Sequence, residues 1–189
     1  EEHYVFQRLG QTRDDAVGES YDKIARLLQL PYPGGPHIDR LAGKGKETYN
    51  FPRAWLEPGS LDFSFSGLKT AVMNAIQQEQ AEAVITEDIA ASFQAAVLDV
   101  LTEKTKRAVE QTGVNHLLVA GGVSANRGLR SHLKELAHDC GITLSLPPLA
   151  LCTDNAAMIG AAAYYAQQAG IEAALDLNAD PGLPLHSLC

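Results

Sequence analysis

The stretch from Leu117 to Gln168 constrains this chain more than any other. Leu117-Leu118-Val119-Ala120 is a short apolar run that meets Gly121-Gly122. A helical repeat carrying Leu129, Leu133 and Leu136 then begins near Ser124 and stops at Gly141. Ile142-Thr143-Leu144-Ser145-Leu146 has strand composition, Pro147-Pro148 ends it, and an Ala-rich run from about Asp154 to Gln168 predicts a further helix. Strand, helix, strand, helix closes only as a crossover unit with its strands parallel, so the fold class is α/β.

With 189 residues, 46% of them hydrophobic and 20% charged, the chain is excluded from the disordered, collagen-like and disulfide-scaffold classes. A chain this long buries about 70% of its unfolded surface. The net charge of −8 is unevenly placed: residues 1–53 hold eight basic and eight acidic side chains, and residues 54–189 hold seven against fifteen. A strongly basic surface is absent, and phosphate contacts would start from the electroneutral first third. Cys140, Cys152 and Cys189 are an odd set without C-x-x-C spacing, which fits a reducing, cytoplasmic setting. The richest apolar run, Ala156 to Ala166, stops far short of the roughly 18 residues a membrane span needs. Glu1 in place of methionine, with Tyr4-Val5-Phe6 reading like the middle of a strand, fits a piece of a longer protein.

Upstream, Thr12 with Asp15 three residues on resembles a capping box, and Val17, Tyr21, Ile24 and Leu28 predict a helix over 13–30. Pro31 ends it, the run Tyr32-Pro33-Gly34-Gly35-Pro36 is an ordered loop, and a short helix follows over 36–42. Residues 49–65, aromatic but broken by Pro52, Pro58 and Gly59, predict short strands or an irregular hairpin. Ser66 can cap a helix carrying Leu68, Val72 and Ile76, and a long helix with Ile89, Phe93, Val97, Val100 and Leu101 inward runs over 87–112, stopped by Gly113. The tail from Asp176 reads as loosely held.

Among residues that can carry chemistry, Val119 to Arg127 stands out. Gly121 and Gly122 between strand and helix let a ligand approach the backbone, and Asn126 offers a donor and an acceptor to a sugar or base edge. The glycines alone do not separate a nucleotide turn from a plain strand-to-helix turn. Asp154 is either the N-cap of the last helix or a carboxylate at the carboxyl end of a strand, where open α/β sheets bind ligands and metals. Gly18 and Asp22 share a helix face, and Gly35 and Asp39 follow closely; acids that accept from paired hydroxyls and glycines that admit a sugar are what a ribose pocket needs. Asp22 reads equally as a solvated acid beside Lys23 and Arg26. Ser64 and Ser66 lack a recognisable base, which leaves them structural, with Lys69 a candidate phosphate contact. None of the six histidines lies four residues from another, and surface or helix-end positions suit them better than ligand roles.

Five blocks in order then cease to be generic: Asp14 to Glu19 with Tyr21-Asp22-Lys23, Tyr32 to Pro36, Leu61 to Lys69, Val119 to Arg130, and Leu151 to Met158. Together they resemble the tRNA N6-adenosine threonylcarbamoyltransferase family, the bacterial TsaD type once called a glycoprotease, over the C-terminal half or slightly more of its length. The resemblance implies an actin-like ATPase fold, with this chain holding the end of the first lobe and all of the second. The implied divisions are 1–114 for the end of the first lobe, 115–175 for the second-lobe nucleotide unit and 176–189 for the tail. The implied reaction moves a threonylcarbamoyl group from threonylcarbamoyl-adenylate to N6 of the adenosine 3′ of the anticodon in tRNAs reading codons that begin with A.

By motif match, Asp22, Gly35, Asp39 and Asn126 would bind the adenylate, Gly121 and Gly122 would cradle it, and Asp154 would be a ligand of one iron or zinc ion. The implied partners are tRNA, a paralogous actin-like subunit and a small ATPase, with no membrane. The family's two histidine ligands come from an H-x-x-x-H motif that nothing here matches, so the chain alone is expected to be inactive. Two other readings stay open: an ATPase or kinase of the actin-like superfamily, and a non-catalytic lobe that docks a partner.

Overall fold

The computed structural model describes residues 5–78 and 85–179. Among these residues six α-helices and two short strands form in the order α1 (Val17–Leu27), α2 (Gly34–Ala42), α3 (Ser66–Gln78), α4 (Thr86–Thr112), β1 (His116–Leu118), α5 (Arg127–Cys140), β2 (Thr143–Ser145) and α6 (Ala156–Gln168). The strands pair in parallel with Leu117 opposite Leu144, so the crossover required by the sequence pattern is present and the class is α/β.

The first helix is shorter than its pattern suggests at both ends. Asp14 and Asp15 are drawn into tertiary contacts, Thr12 donates its hydroxyl to the Asp15 carbonyl, and the N-cap falls at Ala16 without a side-chain bond. At the other end Gln29 turns left-handed at φ 57°, and Leu30 stands before Pro31, where helical backbone is disfavoured. α2 starts two residues earlier than expected, because the Gly34 N–H is held by the Asp22 carboxylate. Pro36 is harmless there, since first-turn N–H groups have no helical partner.

Residues 49–65 hold no strand; the expected hairpin is replaced by an irregular segment with one isolated parallel bridge, Thr12 to Phe63. Pro52 and Pro58 supply no ladder donors, and Leu56 and Gly59 both have positive φ. Side chains hold the segment instead. Arg13 forms a fork with Glu57 and reaches Asp62, the buried Lys104 of α4 donates to the Asp62 carbonyl and lies 5.5 Å from the Phe63 ring centre, and Phe51 and Phe65 sink into the core. Ser66 is not the effective cap of α3: Asp14 accepts from the Phe65 and Ser66 N–H groups and from both the Ser64 and Ser66 hydroxyls. Both serines are therefore used structurally.

Two apolar clusters form. Tyr21, Ile24, Ile38, Phe65, Val72, Ile89, Phe93 and Val97 join α1 to α4 in the larger, while Leu98, Leu129 and Leu133 gather Leu117, Val123 and Leu144 in the smaller. α4, 27 residues and so about 40 Å long, belongs to both and fixes one against the other. It ends at Gly113, left-handed at φ 67° as expected of a C′ glycine.

Downstream, the strands are shorter than the apolar runs, a 3-10 turn over Gly122–Ala125 precedes α5, and α6 starts at Ala156. Asn155, not Asp154, caps α6 by accepting from the Met158 N–H. Val5 and Phe6 are exposed and in no strand, and Tyr4 lies outside the described residues. The tail is described as far as Ala179, with Leu175 and Leu177 exposed; its remainder, Cys189 included, lies outside the described residues. Cys140 and Cys152 are free thiols. No helix among the described residues is long and apolar enough to cross a membrane.

Candidate functional site

Four helices meet where α1, α2, the middle of α4 and the start of α5 converge, and most of the residues singled out from the sequence lie there. On α1, Asp22 is half-buried and its Oδ1 accepts from the Gly34 N–H at 2.7 Å. Lys23, its neighbour, turns instead to Asp15 and Glu19, so Asp22 is not neutralised by the adjacent cation. Gly34 is required by close approach: a Cβ there would lie 2.3 Å from that of Ala25. Gly35, one residue on, faces space in which a Cβ would meet nothing within 4 Å.

Asp39, one helical turn further along α2, is held at both oxygens. Gln94 of α4 donates to Oδ1 at 3.2 Å and the Arg127 N–H, at the start of α5, donates to Oδ2 at 3.3 Å. Asn126 caps α5 by accepting from the Leu129 N–H at 2.8 Å, while its Nδ2 donates to Gln94 at 2.8 Å and to the Tyr21 hydroxyl at 3.4 Å. Tyr21 in turn donates to Gln94 at 3.3 Å. Burial, and next the charge of Asp39, push the Tyr21 phenol well above its usual range, so it stays protonated. Thus residues 105 positions apart in sequence, Tyr21 and Asn126, touch through side-chain polar atoms.

Gly121 and Gly122 border this junction. Gly121 has φ 90° and ψ 167°, a region open in practice only to glycine. A Cβ on either glycine would meet nothing within 4 Å, and Val123, just beyond, comes close to Gly18 of α1. The turn therefore lies against α1 with bare backbone facing outward.

Asp154 stands apart. It is exposed, makes no hydrogen bond or ion pair among the described residues, and borders a cleft with Asn155, Met158 and Ile159. Its link to the junction is indirect: Arg130 of α5 donates to the carbonyls of Ser124 and Pro147 and to the Cys152 sulfur, clamping the glycine turn to the segment that leads to Asp154. Among the described residues no three His, Cys, Asp or Glu side chains gather as a metal-binding group. One exposed carboxylate does not make an iron or zinc site, so the described donor set does not fit that ion. Lys69 is exposed on α3, and His132 sits against the Gly128 carbonyl.

The sequence alone did not single out Gln94, Arg130 or the hydroxyl of Tyr21. The signal for Gln94 was faint: a polar residue between Ala90 and Val97 on an otherwise apolar face. Arg130 is indistinguishable in sequence from a solvated helix arginine.

Residues 1–161 match the model of a family described as tRNA N6-adenosine threonylcarbamoyltransferase. A protein of that name from Halalkalibacterium halodurans is 58% identical over an aligned stretch that covers 99% of this chain and 55% of that protein. Those from Staphylococcus haemolyticus and Bacillus thuringiensis subsp. konkukian are each 56% identical, over 97% and 98% of this chain and 54% and 55% of their own lengths. The chain thus spans about half the length of the curated relatives it matches. On this match, the chain belongs to the tRNA N6-adenosine threonylcarbamoyltransferase family.

Proposed function

We propose that this chain supplies the adenosine-holding half of an acyltransferase that moves a threonylcarbamoyl group from threonylcarbamoyl-adenylate to N6 of the adenosine 3′ of the anticodon in tRNAs reading codons that begin with A. The observation that carries the reading is the junction itself: Asp39 of α2 and Asn126 at the cap of α5 are both bonded to Gln94, while Asp22 of α1 is bonded to the Gly34 N–H beside Gly35 at the start of α2. Membership of the family supports it.

Among the described residues, Asp22 keeps one carboxylate oxygen without a hydrogen-bond partner, and each oxygen of Asp39 retains a lone pair after its single bond. These are acceptors for ribose hydroxyls. Gly35 leaves room for the sugar to pack on backbone, and the bare Gly121-Gly122 turn admits the phosphate side of the adenylate.

The N6 amine is a weak nucleophile because its lone pair is delocalised into the purine, so an activated donor held in line is essential. In the step, a bond forms from N6 to the carbamoyl carbon, the bond from that carbon to the phosphate oxygen breaks, and AMP departs as N6 loses a proton. This chain's part is to fix the adenosine end of the donor so that the carbamoyl carbon is presented. Among the described residues only Asp154 is carried over by the resemblance as a metal ligand, and no step is assigned to a metal.

In the same reading the fold is actin-like, with a lobe boundary near residue 114, supported by the gap between Thr112 and His116. tRNA, a paralogous actin-like subunit and a small ATPase are its partners, and the cytoplasm its place. The test uses the full-length protein with its partner subunits, labelled threonylcarbamoyl-adenylate and a tRNA reading an A-initial codon. Label appearing in tRNA supports the reading. Phosphate release from ATP without any transfer would replace it with an ATPase or kinase.

A further inference from the structure

We propose that Gln94 is a positioning residue: its side-chain amide sets the orientation of Asn126 and the placement of Asp39 across the gap between α2 and α5. The inference rests on the reading above, in which those two residues hold adenosine.

Gln94 is 7% exposed and lies between Phe93 and Val97 on the core side of α4. A buried amide is tolerated only when its donors and acceptor are used, and here three groups from three different elements use them. Nε2 donates to Asp39 on α2, while Oε1 accepts from Asn126 at the cap of α5 and from Tyr21 on α1. Packing alone would be met by methionine or leucine. The amide is the one side chain of this length that donates to a carboxylate and accepts from an amide at once.

Two consequences follow for the site. With Asn126 Nδ2 directed at Gln94, its Oδ1 must face the Leu129 N–H, which is how it caps α5. The reverse orientation would set two donors together at Leu129 and two acceptors together at Gln94. Asp39, held by Gln94 on one oxygen and by the Arg127 N–H on the other, has its carboxylate plane fixed. The first turn of α5 also lies directly on Gln94, since a Cβ at Gly128 would stand 3.0 Å from Nε2 and 2.7 Å from Leu98 Cδ1. Gln94 therefore reads the positions of both ligand-holding elements through a side chain that touches no ligand.

The test compares the chain with its Gln94→Glu and Gln94→Met variants, titrating each with 5′-AMP by calorimetry across pH and recording exchange of the Asn126 side-chain amide protons by NMR. Among the described residues, the titratable side chains bonded to Gln94 are Tyr21 from α1 and Asp39 from α2; α5 meets it through the Asn126 amide and Gly128. In Gln94→Glu a second carboxylate meets Asp39, so affinity falls roughly tenfold at about pH 8 and recovers near pH 5, where the pair shares a proton. The affinity of each variant is read as a ratio to that of the unsubstituted chain at the same pH, because the 5′-AMP phosphate itself takes up a proton in this range. In Gln94→Met the protein stays folded, the Asn126 amide protons exchange faster and 5′-AMP affinity drops roughly tenfold. A purely structural glutamine would shift melting temperature without the pH profile. Equal 5′-AMP affinity with Gln, Glu or Met at position 94, or unchanged Asn126 exchange in Gln94→Met, overturns the positioning role. No 5′-AMP binding by the unsubstituted chain overturns the adenosine reading itself.

Discussion

The strand-helix region from β1 to α6 is richer in apolar residues than the helical region from α1 to α4, yet outside α5 it buries far fewer of them. Ile24, Ile38, Val72, Ile89, Phe93 and Val97 are completely buried, whereas Leu118 is 71% exposed, Ile159 73%, and α6 has no buried residue. The difference lies in what each region can pack against. Four helices close on one another without outside help. Two strands of three residues pack on α5 through Leu117 and Leu144 but are too short to cover α6 as well, and a two-stranded sheet is marginal alone. The Ala-rich pattern of α6 is that of a buried helix with nothing among the described residues to bury it.

The sharpest way to break this contrast is paired truncation. Phe93→Ala should destabilise by about 3–5 kcal/mol, because a fully buried ring in edge contact with Tyr21 leaves a cavity. Ile159→Ala should change stability by less than about 0.5 kcal/mol. Denaturant melts of both variants measure this, and equal losses would mean that α6 is packed after all. Hydrogen exchange extends the comparison, with the amides of mid-α4 protected far longer than those of α6.

Gly34→Ala comes next. Its new Cβ would collide with Ala25 at 2.3 Å and press on the Asp22 backbone, forcing α1 and α2 apart at a loss of about 1–3 kcal/mol. Because the Gly34 N–H also holds Asp22, 5′-AMP affinity should fall with stability. The same substitution at Gly35, where a Cβ meets open space, should leave the melting temperature nearly unchanged. A melting temperature lowered equally by both would remove the distinction between a glycine that packs and one that faces outward.

Legibility in the sequence followed the same division of labour. The period of α4, its stop at Gly113 and the parallel pairing of β1 with β2 were readable because each depends on local pattern or on chirality. The strands expected over 49–65 failed since those aromatics are held by Arg13, Asp14 and Lys104, partners some 40 or more residues away that no window contains. The late start of α1, beyond Asp14, has the same cause, whereas its early end is local, at Gln29 and Pro31. At the site, Asp22, Gly35, Asp39 and Asn126 were legible through a resemblance covering whole blocks. Gln94 was not, for its role exists only in the contacts of four helices, and a lone polar residue on an apolar face carries no address for its partners.

Asn126→Ala tests whether cap and pocket are separable. The sequence pointed to Asn126 as a ligand contact, but the side chain also caps α5, so the substitution should lower stability by about 1 kcal/mol. It should also weaken 5′-AMP binding by about 1–3 kcal/mol. Asn126→Asp keeps an acceptor for Leu129 while losing the donor to Gln94, and should restore the cap without restoring binding. Full recovery of binding in that variant would show that the donor is unused.

The smallest effect concerns acid, and it falls on the helical region. Burial by itself would raise the Asp14 carboxyl, but hydrogen bonds from Ser64, the Phe65 N–H and Ser66 outweigh it and hold the pKa at about 2 against an ordinary 3.8. A carboxyl depressed on folding stabilises fully above its unfolded pKa, and that contribution is lost as pH falls from about 4 to about 2. Because Asp14 is exposed to solvent, screening limits it to about 1 kcal/mol. Glu57, bonded to Arg13, and Asp62, bonded to the Gln11 N–H and Arg13, are depressed in the same direction and lie in the same segment. Acid should therefore loosen the start of α3 and the 57–66 segment before it disturbs the apolar contacts of α4. Melting temperatures at about pH 5 and about pH 2.5 should differ less in Asp14→Asn than in the unsubstituted chain. An identical acid shift in both would mean that the Asp14 hydrogen bonds contribute nothing to holding α3 in place.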